Sequence, residues 1–421
     1  MTLSERYLQL EENELYSAYQ AELALKKELN ILRNDFYYQL IDSKATSLVD
    51  FMYKPLDVLS GDAYSARRIN EHKTFYLLVD GMGKGVSASF TSVIMTTFIN
   101  HLVDKMIEHD SFSLDMLIRE SMAYIQPILL DEEALAIDYI CFDSYFGELE
   151  YAKFAMPPFL LQDKDDNIIK VKSNNTPLSK WQQSYNVDRL DVKNIDKYLF
   201  YSDGIVENMT KEQGVTYAAF IQEDFRNSFT REEFKEKFFE RIEEQEDDLS
   251  LIFINSLDLQ TNTLLESKHF DSTLEAVEMA NEWYERLWEE KIEADEKMAY
   301  RAGLVFSELF MNAYEHGNLG LDTATKHRYL EEDIYFDALK ELEKECEKKI
   351  LVSVFTLQEL DSRYIVTKIA DEGEGFDTLK LSEIFRNSVQ FNGRGVFVSR
   401  QNSMGIYYNK EGNCVLFLHK I

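Results

Sequence analysis

Basic residues, cysteines and long apolar runs are all scarce in this chain. Its 421 residues hold 45 Lys and Arg against 76 Asp and Glu, a formal net charge of −31. Nucleic acid and anionic lipid surfaces are gripped by a Lys/Arg footprint. Neither is therefore expected as a partner, and most of the acidic excess serves solubility. The three cysteines, Cys141, Cys346 and Cys414, are odd in number and too far apart for a ligand motif. Reduced thiols are expected, and a disulfide framework is not. No stretch approaches the ~20 apolar residues that span a bilayer. The opening Met1-Thr2-Leu3-Ser4-Glu5-Arg6 has no apolar leader core. Together these absences point to a cytoplasmic protein whose partners are proteins and nucleotides, with no nucleic acid and no membrane.

What is present is ample material for conventional cores. A 45% hydrophobic content over this length predicts two or three globular domains. The most informative residues are four aspartates at the ends of apolar runs. Asp62 follows Ser60-Gly61, and Asp80 closes Phe75-Tyr76-Leu77-Leu78-Val79 before the turn Gly81-Met82-Gly83-Lys84-Gly85. Asp203 closes Tyr198-Leu199-Phe200-Tyr201, and Asp247 precedes Asp248 and the run Leu249 to Ile254. Any one Asp-Gly pair is ordinary turn chemistry. Four carboxylates at strand ends can instead converge on one face of a sheet. There, mutual repulsion resists joint ionisation unless Mg2+ or Mn2+ supplies counter-charge. Two such ions hold a phosphoryl group for in-line attack, so phosphate-ester hydrolysis is the chemistry this pattern points to.

The motif order Ser60-Gly61-Asp62, Val79-Asp80-Gly81-Met82-Gly83-Lys84-Gly85, Tyr201-Ser202-Asp203-Gly204 and Asp247-Asp248-Leu249-Ser250 resembles the metal-dependent type 2C serine/threonine phosphatases, in their bacterial stage II sporulation branch. The resemblance covers roughly residues 46–257 and implies an α-β-β-α sandwich. It also implies Asp62, Asp80 and the Gly81 carbonyl on one metal, Asp80, Asp203 and Asp247 on the other, and Asp248 behind them. Where that family carries Ala-Gly-His-X-Pro, this chain has Phe154-Ala155-Met156-Pro157-Pro158, and a later Gly-X-Pro-Leu-Gly is Asn175-Thr176-Pro177-Leu178-Ser179. Both departures bear on substrate fit and activation, since neither removes a metal ligand.

Residues 5–42 contain no Gly or Pro, and Leu8, Leu15, Ala18, Leu25, Leu29, Leu32 and Phe36 recur at near-heptad spacing. A dimeric coiled coil is the favoured reading, with an amphipathic helix packed on its own domain as the alternative. In the phosphatases this chain resembles, such a leading helix controls the catalytic domain.

Past the polar stretch 257–263, a predicted helix near 298–317 carries Glu308, Asn312 and Glu315, which share one face. Downstream, a strand-like run ends at Asp371-Glu372-Gly373-Glu374-Gly375, followed by Phe391-Asn392-Gly393-Arg394-Gly395. Glycine permits close phosphate approach, and backbone amides at a helix start bind anions. This set, over about residues 262–421, resembles the ATP-binding domain shared by gyrase, chaperone and histidine-kinase ATPases, closest to the anti-sigma-factor serine kinases. It implies Asn312 on an ATP-bridging Mg2+, Asp371 on the adenine amino group, and Gly373, Gly375, Gly393 and Gly395 shaping the nucleotide loops. It further implies Glu308 as the polariser of an attacking hydroxyl. Arg394 faces phosphate or solvent. His316 is read as structural or substrate-orienting, because no separate acceptor helix of a histidine kinase is visible.

The expected architecture is thus of the α/β (α+β) class. A helical segment over 1–45 precedes a phosphatase sandwich over 46–257, and an α/β ATP-binding sandwich occupies 258–421. The two resemblances imply a bifunctional partner-switching enzyme, with a STAS-domain anti-sigma-factor antagonist as substrate, a sigma factor or upstream sensor as further partners, and homodimerisation through the leading helix. The alternatives are a phosphatase whose second domain only senses ATP, or one whose second domain sequesters a sigma factor or STAS protein. An insertion over 321–349, rich in Glu and Lys, reads as a surface helix that covers nucleotide, docks a partner or packs on the phosphatase.

Overall fold

The structure is a computed structural model that describes residues 23, 24, 27, 31–34, 40, 41, 46–83, 85–257, 259, 263–376, 378, 399 and 402–421. The proposed coiled coil over residues 5–42 therefore lies almost entirely outside the described residues. The chain divides into two compact units. Phe51–Ser228 and Phe234–Ile254 make up most of the first, and Asn255–Ile421 with Phe229–Glu233 most of the second.

Two sheets face each other in the first unit. One has the strand order Arg33–Asn34, Asp62–Arg68, Lys73–Gly81, Ala134–Asp143, Glu148–Phe154 and Asp188–Asp191, with Leu178–Ser179 joined to Ala134–Asp143. The other runs Thr46–Lys54, Leu249–Leu257, Ile195–Tyr201, Phe159–Asp163 and Ile168–Val171. Strand periodicity of two assigns the faces. Tyr76 meets Phe200 at 6.1 Å, Phe142 meets Tyr198 at 5.9 Å, and Phe51 stacks on Tyr64 at 5.3 Å. These even-numbered positions on the first sheet fill the space between sheets. Odd-numbered Phe75 turns instead toward Phe112 beside the helices, and Ser65 bonds Asn100 of a helix.

Helix Val86–Glu108 buries Met95, Ile99, Val103 and Met106 as it packs on the strands Asp62–Arg68 and Lys73–Gly81. By length and composition it is apolar enough to cross a membrane, contrary to the expectation that no stretch would be. Ser89, Ser92, Thr96 and Asn100 on its buried side belong to a core helix, and Asn100 accepts from the Ser65 hydroxyl at 2.6 Å. The outer face of the second sheet is covered by helices Ile221–Arg226 and Arg231–Arg241, whose Phe225, Phe234 and Phe238 join Leu199, Leu251 and Phe253 in one core. The result is the α-β-β-α sandwich expected from the sequence.

The second unit is one mostly antiparallel sheet in the order Leu264–Asp271, Lys349–Glu359, Ser362–Asp371, Cys414–Lys420, Gly405–Asn409 and Leu40–Ile41. Alternate residues again divide its faces. Ile350, Val352, Ile365, Ile369 and Phe417 pack under helices Leu274–Leu287 and Glu296–Asn312, while Leu357, Val366, Leu416 and Leu418 form a second cluster on the opposite face. Tyr284 stacks on Phe306 at 4.0 Å and shares a 2.8 Å hydrogen bond with Thr367, pinning both helices to the sheet. The 321–349 insertion folds as two helices, Thr323–Glu331 and Tyr335–Lys344, where the sequence pattern predicts one. Asp333 turns the chain between them with a left-handed φ of 55°.

Candidate functional site

The four aspartates are brought to one end of the first unit by strand register. Asp62 and Asp80 are directly opposite each other on adjacent antiparallel strands. Asp80 continues the row Tyr76 and Leu78, so both carboxylates belong to the face between the sheets. Asp203 opens the short helix Asp203–Glu207 directly after the strand Ile195–Tyr201, and Asp247 precedes the neighbouring strand Leu249–Leu257. Ser202 donates to Asp62 Oδ2 at 2.6 Å, joining the two sheets at the site.

Asp248 holds the opposite side of this cradle. Its Oδ2 accepts from the Gly61 amide at 2.6 Å and its Oδ1 from the Leu56 amide at 2.7 Å. The Gly61 carbonyl in turn accepts from the Gly81 amide at 3.0 Å and from the Ser92 hydroxyl. Glycine is required at 204, because a Cβ there would lie 2.0 Å from the Asp248 carbonyl oxygen. Ser202, Ser92 and Asn208, whose side chain donates to the Gly204 carbonyl and accepts from the Glu246 amide, are functional neighbours that sequence reasoning passed over. Isolated Ser and Asn side chains carry no periodic signal, so no pattern could have singled them out.

Electrostatics set this cluster apart. Burial pushes the Asp80 carboxyl up to about 10, reinforced by Asp62, by Asp203 through charge and a hydrogen bond, and by Asp247. Asp62 is also held well above its usual range, chiefly by burial, against the lowering effect of hydrogen bonds from Ser202 and Ser250. Among the described residues, no three His, Cys, Asp or Glu side chains already converge as a closed metal cage. An all-oxygen donor set crowded beyond what protons comfortably neutralise fits a hard divalent cation.

In the second unit, Glu308 and Asn312 are both half-buried, one turn apart on the helix Glu296–Asn312. The helix then widens into a π-helical turn, Ala313–Asn318. This takes Glu315 out of the expected polar face. It is fully buried, with its carboxylate bound by Lys326 at 2.5 Å and by the Tyr335 hydroxyl, both from the insertion. His316 is exposed, and its Nδ1 meets the Leu321 carbonyl.

Asp371 ends the strand Ser362–Asp371 against Gly317, where a Cβ would come within 2.5 Å of its carboxyl carbon. Burial raises this carboxyl to about 6, opposed by the Gly373 amide, which donates at 2.9 Å. Gly375 lies in the left-handed region at φ 76°, with the Glu411 carbonyl oxygen 1.8 Å from where a Cβ would sit. The buried Tyr408 phenol is pushed up mainly by burial and then by Glu308 and Asp371, which places both carboxylates within electrostatic reach of one ring. Asn318, unremarked in the sequence, ties the end together. It donates to Ser272 Oγ at 2.8 Å and the Lys349 carbonyl at 3.1 Å, and accepts from the Glu372 amide at 2.8 Å. Gly393, Arg394 and Gly395 lie outside the described residues.

Comparison with known proteins divides the chain as its two units do. Residues 70–256 match the family described as stage II sporulation protein E (SpoIIE), and residues 270–418 match the histidine kinase-like ATPase domain. The phosphoserine phosphatase RsbP of Bacillus subtilis is 23% identical over 197 residues, which is 45% of this chain and 47% of RsbP. The chain thus spans about half the length of this curated relative.

Among solved structures, the RsbU and RsbW domains of Rv1364c from Mycobacterium tuberculosis align over 89% of this chain and 94% of that one, with a TM-score of 0.45 and 16% identity. The SiaA-PP2C domain of Pseudomonas aeruginosa aligns over 58% of this chain and 99% of that one, with a TM-score of 0.49 and 16% identity. By these matches, the first unit is similar to the SpoIIE family over residues 70–256, and the second to the histidine kinase-like ATPase domain over residues 270–418.

Proposed function

We propose that this protein removes phosphate from a phosphoserine or phosphothreonine of a partner protein at the aspartate cluster, and that its second unit binds ATP with Mg2+ and phosphorylates the same or a related protein. The observation that carries the first half is the crowding of Asp62, Asp80, Asp203 and Asp247, with Asp80 raised to about 10 by burial and its neighbours. Asp62, Asp80, the Gly81 carbonyl, Asp203 and Asp247 would hold two Mn2+ or Mg2+ ions. Such ions supply a nucleophile at neutral pH and charge stabilisation for in-line displacement. Asp248 fixes the Gly61 loop by accepting two amides, and Ser202 orients the Asp62 carboxylate by donating to it.

For the second half, support comes from Asn312 and Glu308 one turn apart near Asp371. Asn312 would hold Mg2+ at the ATP phosphates, and Asp371 would accept from the adenine amino group. Glu308 would polarise a serine hydroxyl, as phosphoryl transfer requires a positioned nucleophile. Gly373 and Gly375 let this loop pack on the chain, since a Cβ would lie 2.2 Å from the Gly317 carbonyl oxygen and 1.8 Å from that of Glu411. The expected substrate is a STAS-domain anti-sigma-factor antagonist in the cytoplasm, with the leading segment as a dimerisation and control element. A phosphatase and a kinase on one chain need reciprocal control to avoid futile cycling.

The test mixes the full chain with a candidate STAS protein, Mn2+ or Mg2+ and labelled ATP, following serine phosphate in wild type, Asp80→Asn and Asn312→Ala. More phosphate in Asp80→Asn and none in Asn312→Ala supports two opposed activities. Absence of transfer in every background, with wild type still hydrolysing pre-phosphorylated partner, leaves a phosphatase carrying a nucleotide sensor.

A further inference from the structure

The insertion is not a loose flap on the ATP-binding unit. Its first helix sends Lys326, and its second Tyr335, to the fully buried Glu315 carboxylate. Glu343 of the second helix accepts from the Tyr314 hydroxyl at 2.6 Å and from the Leu274 amide at 2.7 Å. Leu339 is the side chain this helix buries completely. Breaking a buried charge out of such a network is costly, so both helices are fixed to the body of the unit, and their connecting corner is presented as a rigid surface.

That corner is both apolar and acidic. Leu330, Ile334 and Phe336 are 49%, 41% and 64% exposed around the turn at Asp333. The turn itself is closed by the Ile334 amide on the Tyr329 carbonyl at 3.0 Å and the Asp333 amide on the Leu330 carbonyl at 3.3 Å. Between Leu330 and Asp337 the chain carries Glu331, Glu332, Asp333 and Asp337 and no basic residue, and all four carboxylates are exposed. Three large exposed apolar side chains within seven residues of one turn mark an interaction surface in a way that ones scattered along the chain do not. A ring of one charge sign selects the partner by complementarity.

We propose that the Leu330, Ile334 and Phe336 corner docks a positively charged amphipathic helix of a partner protein. Such a helix offers apolar residues at three- and four-residue spacing to the corner, and Lys or Arg to the carboxylates around it. A second copy of this chain is disfavoured by the same charges, which would meet their own sign in a chain of net charge −31. The proposal does not depend on either proposed site turning over.

The experiment titrates the full chain into a fluorescently labelled Lys/Leu amphipathic peptide and its Glu/Leu counterpart, reading anisotropy. The Lys/Leu peptide is expected to bind, with Phe336→Ser weakening it by about tenfold or more as loss of an aromatic anchor does. The pair Glu331→Lys with Asp333→Lys is expected to transfer preference toward the Glu/Leu peptide. Tyr145→Ser, an exposed aromatic of the phosphatase unit, should leave binding unchanged. Equal binding by wild type and Phe336→Ser would overturn the proposal as non-specific attraction to an acidic protein. So would a fall in sedimentation mass in Phe336→Ser, which would assign the corner to a second copy. A shift in ATP affinity in that variant would assign it to a nucleotide cover and overturn the proposal equally.

Discussion

The two units place carboxylates at strand ends in contrasting surroundings, and the difference lies in how many share the space. In the phosphatase unit, Asp80 has Asp62, Asp203 and Asp247 as neighbours and is pushed up to about 10. In the ATP-binding unit, Asp371 stands alone, raised only to about 6 by burial and eased by the Gly373 amide. A crowd of anions is a demand for cations. A single shielded carboxylate is satisfied by a neutral donor, as the Gly373 amide does here.

The sharpest way to break this contrast is Asp80→Asn. Phosphatase turnover is expected to fall about 10^3-fold or more, the several kcal/mol that a lost metal-binding group removes from transition-state stabilisation. In metal-free buffer the same variant should melt higher by roughly 2–4 °C, because folding no longer has to protonate and bury a carboxylate, a relief on the order of 1 kcal/mol. A variant that melted lower would show that burying the Asp80 carboxyl carries no such cost. Asn312→Ala comes next. Loss of a hydrogen bond or ligand to a charged group costs about 1.5–3 kcal/mol, so ATP affinity measured by calorimetry should drop roughly tenfold to a hundredfold while phosphatase turnover stays intact.

Two glycines sharpen the comparison at the level of backbone. Gly375→Ala meets the Glu411 carbonyl at 1.8 Å in a left-handed conformation, and Gly204→Ala meets the Asp248 carbonyl at 2.0 Å. Each should destabilise its own unit by about 1–3 kcal/mol, read as two separate shifts in a thermal melt. The smallest effect is in pH. In the proposed role Asp371 would accept from adenine in its ionised form, and burial raises its carboxyl to about 6, above the ordinary carboxylate value. ATP affinity should therefore fall as pH drops below about 6, and Asp371→Asn should lose that component. For stability the sign is reversed. The burial penalty on the charged form is fully present above about 6 and is relieved as pH falls toward the unfolded value near 4.

Much of the aspartate cluster was legible because its residues sit at the junction of two strong signals. Runs such as Phe75 to Val79 read as buried strands, and an aspartate closing each run marks where a strand leaves the core. In the second unit the strand-like run before Asp371 forms as Ser362–Asp371 and the helix expected near 298–317 forms as Glu296–Asn312, while Lys349–Glu359, Gly405–Asn409 and Cys414–Lys420 went unread. Glu315 was misplaced because three- and four-residue spacing assumes an unbroken α-helix, and the π-helical turn at Ala313–Asn318 rotates it into the body of the unit. The insertion was read as one helix because the left-handed Asp333 that divides it carries no glycine or proline to announce a turn.

What the sequence by itself determined is the identity of the reactive groups and the local geometry that presents them, since periodicity and turn chemistry act within a few residues. Tertiary structure alone decided which of those groups meet. The register that sets Asp62 against Asp80, the reach of Ser202 across the sandwich, Asp248 holding two distant amides and Asn318 binding three elements at once all join residues tens to hundreds of positions apart. Such contacts depend on how whole sheets and helices pack, which no short window of sequence encodes.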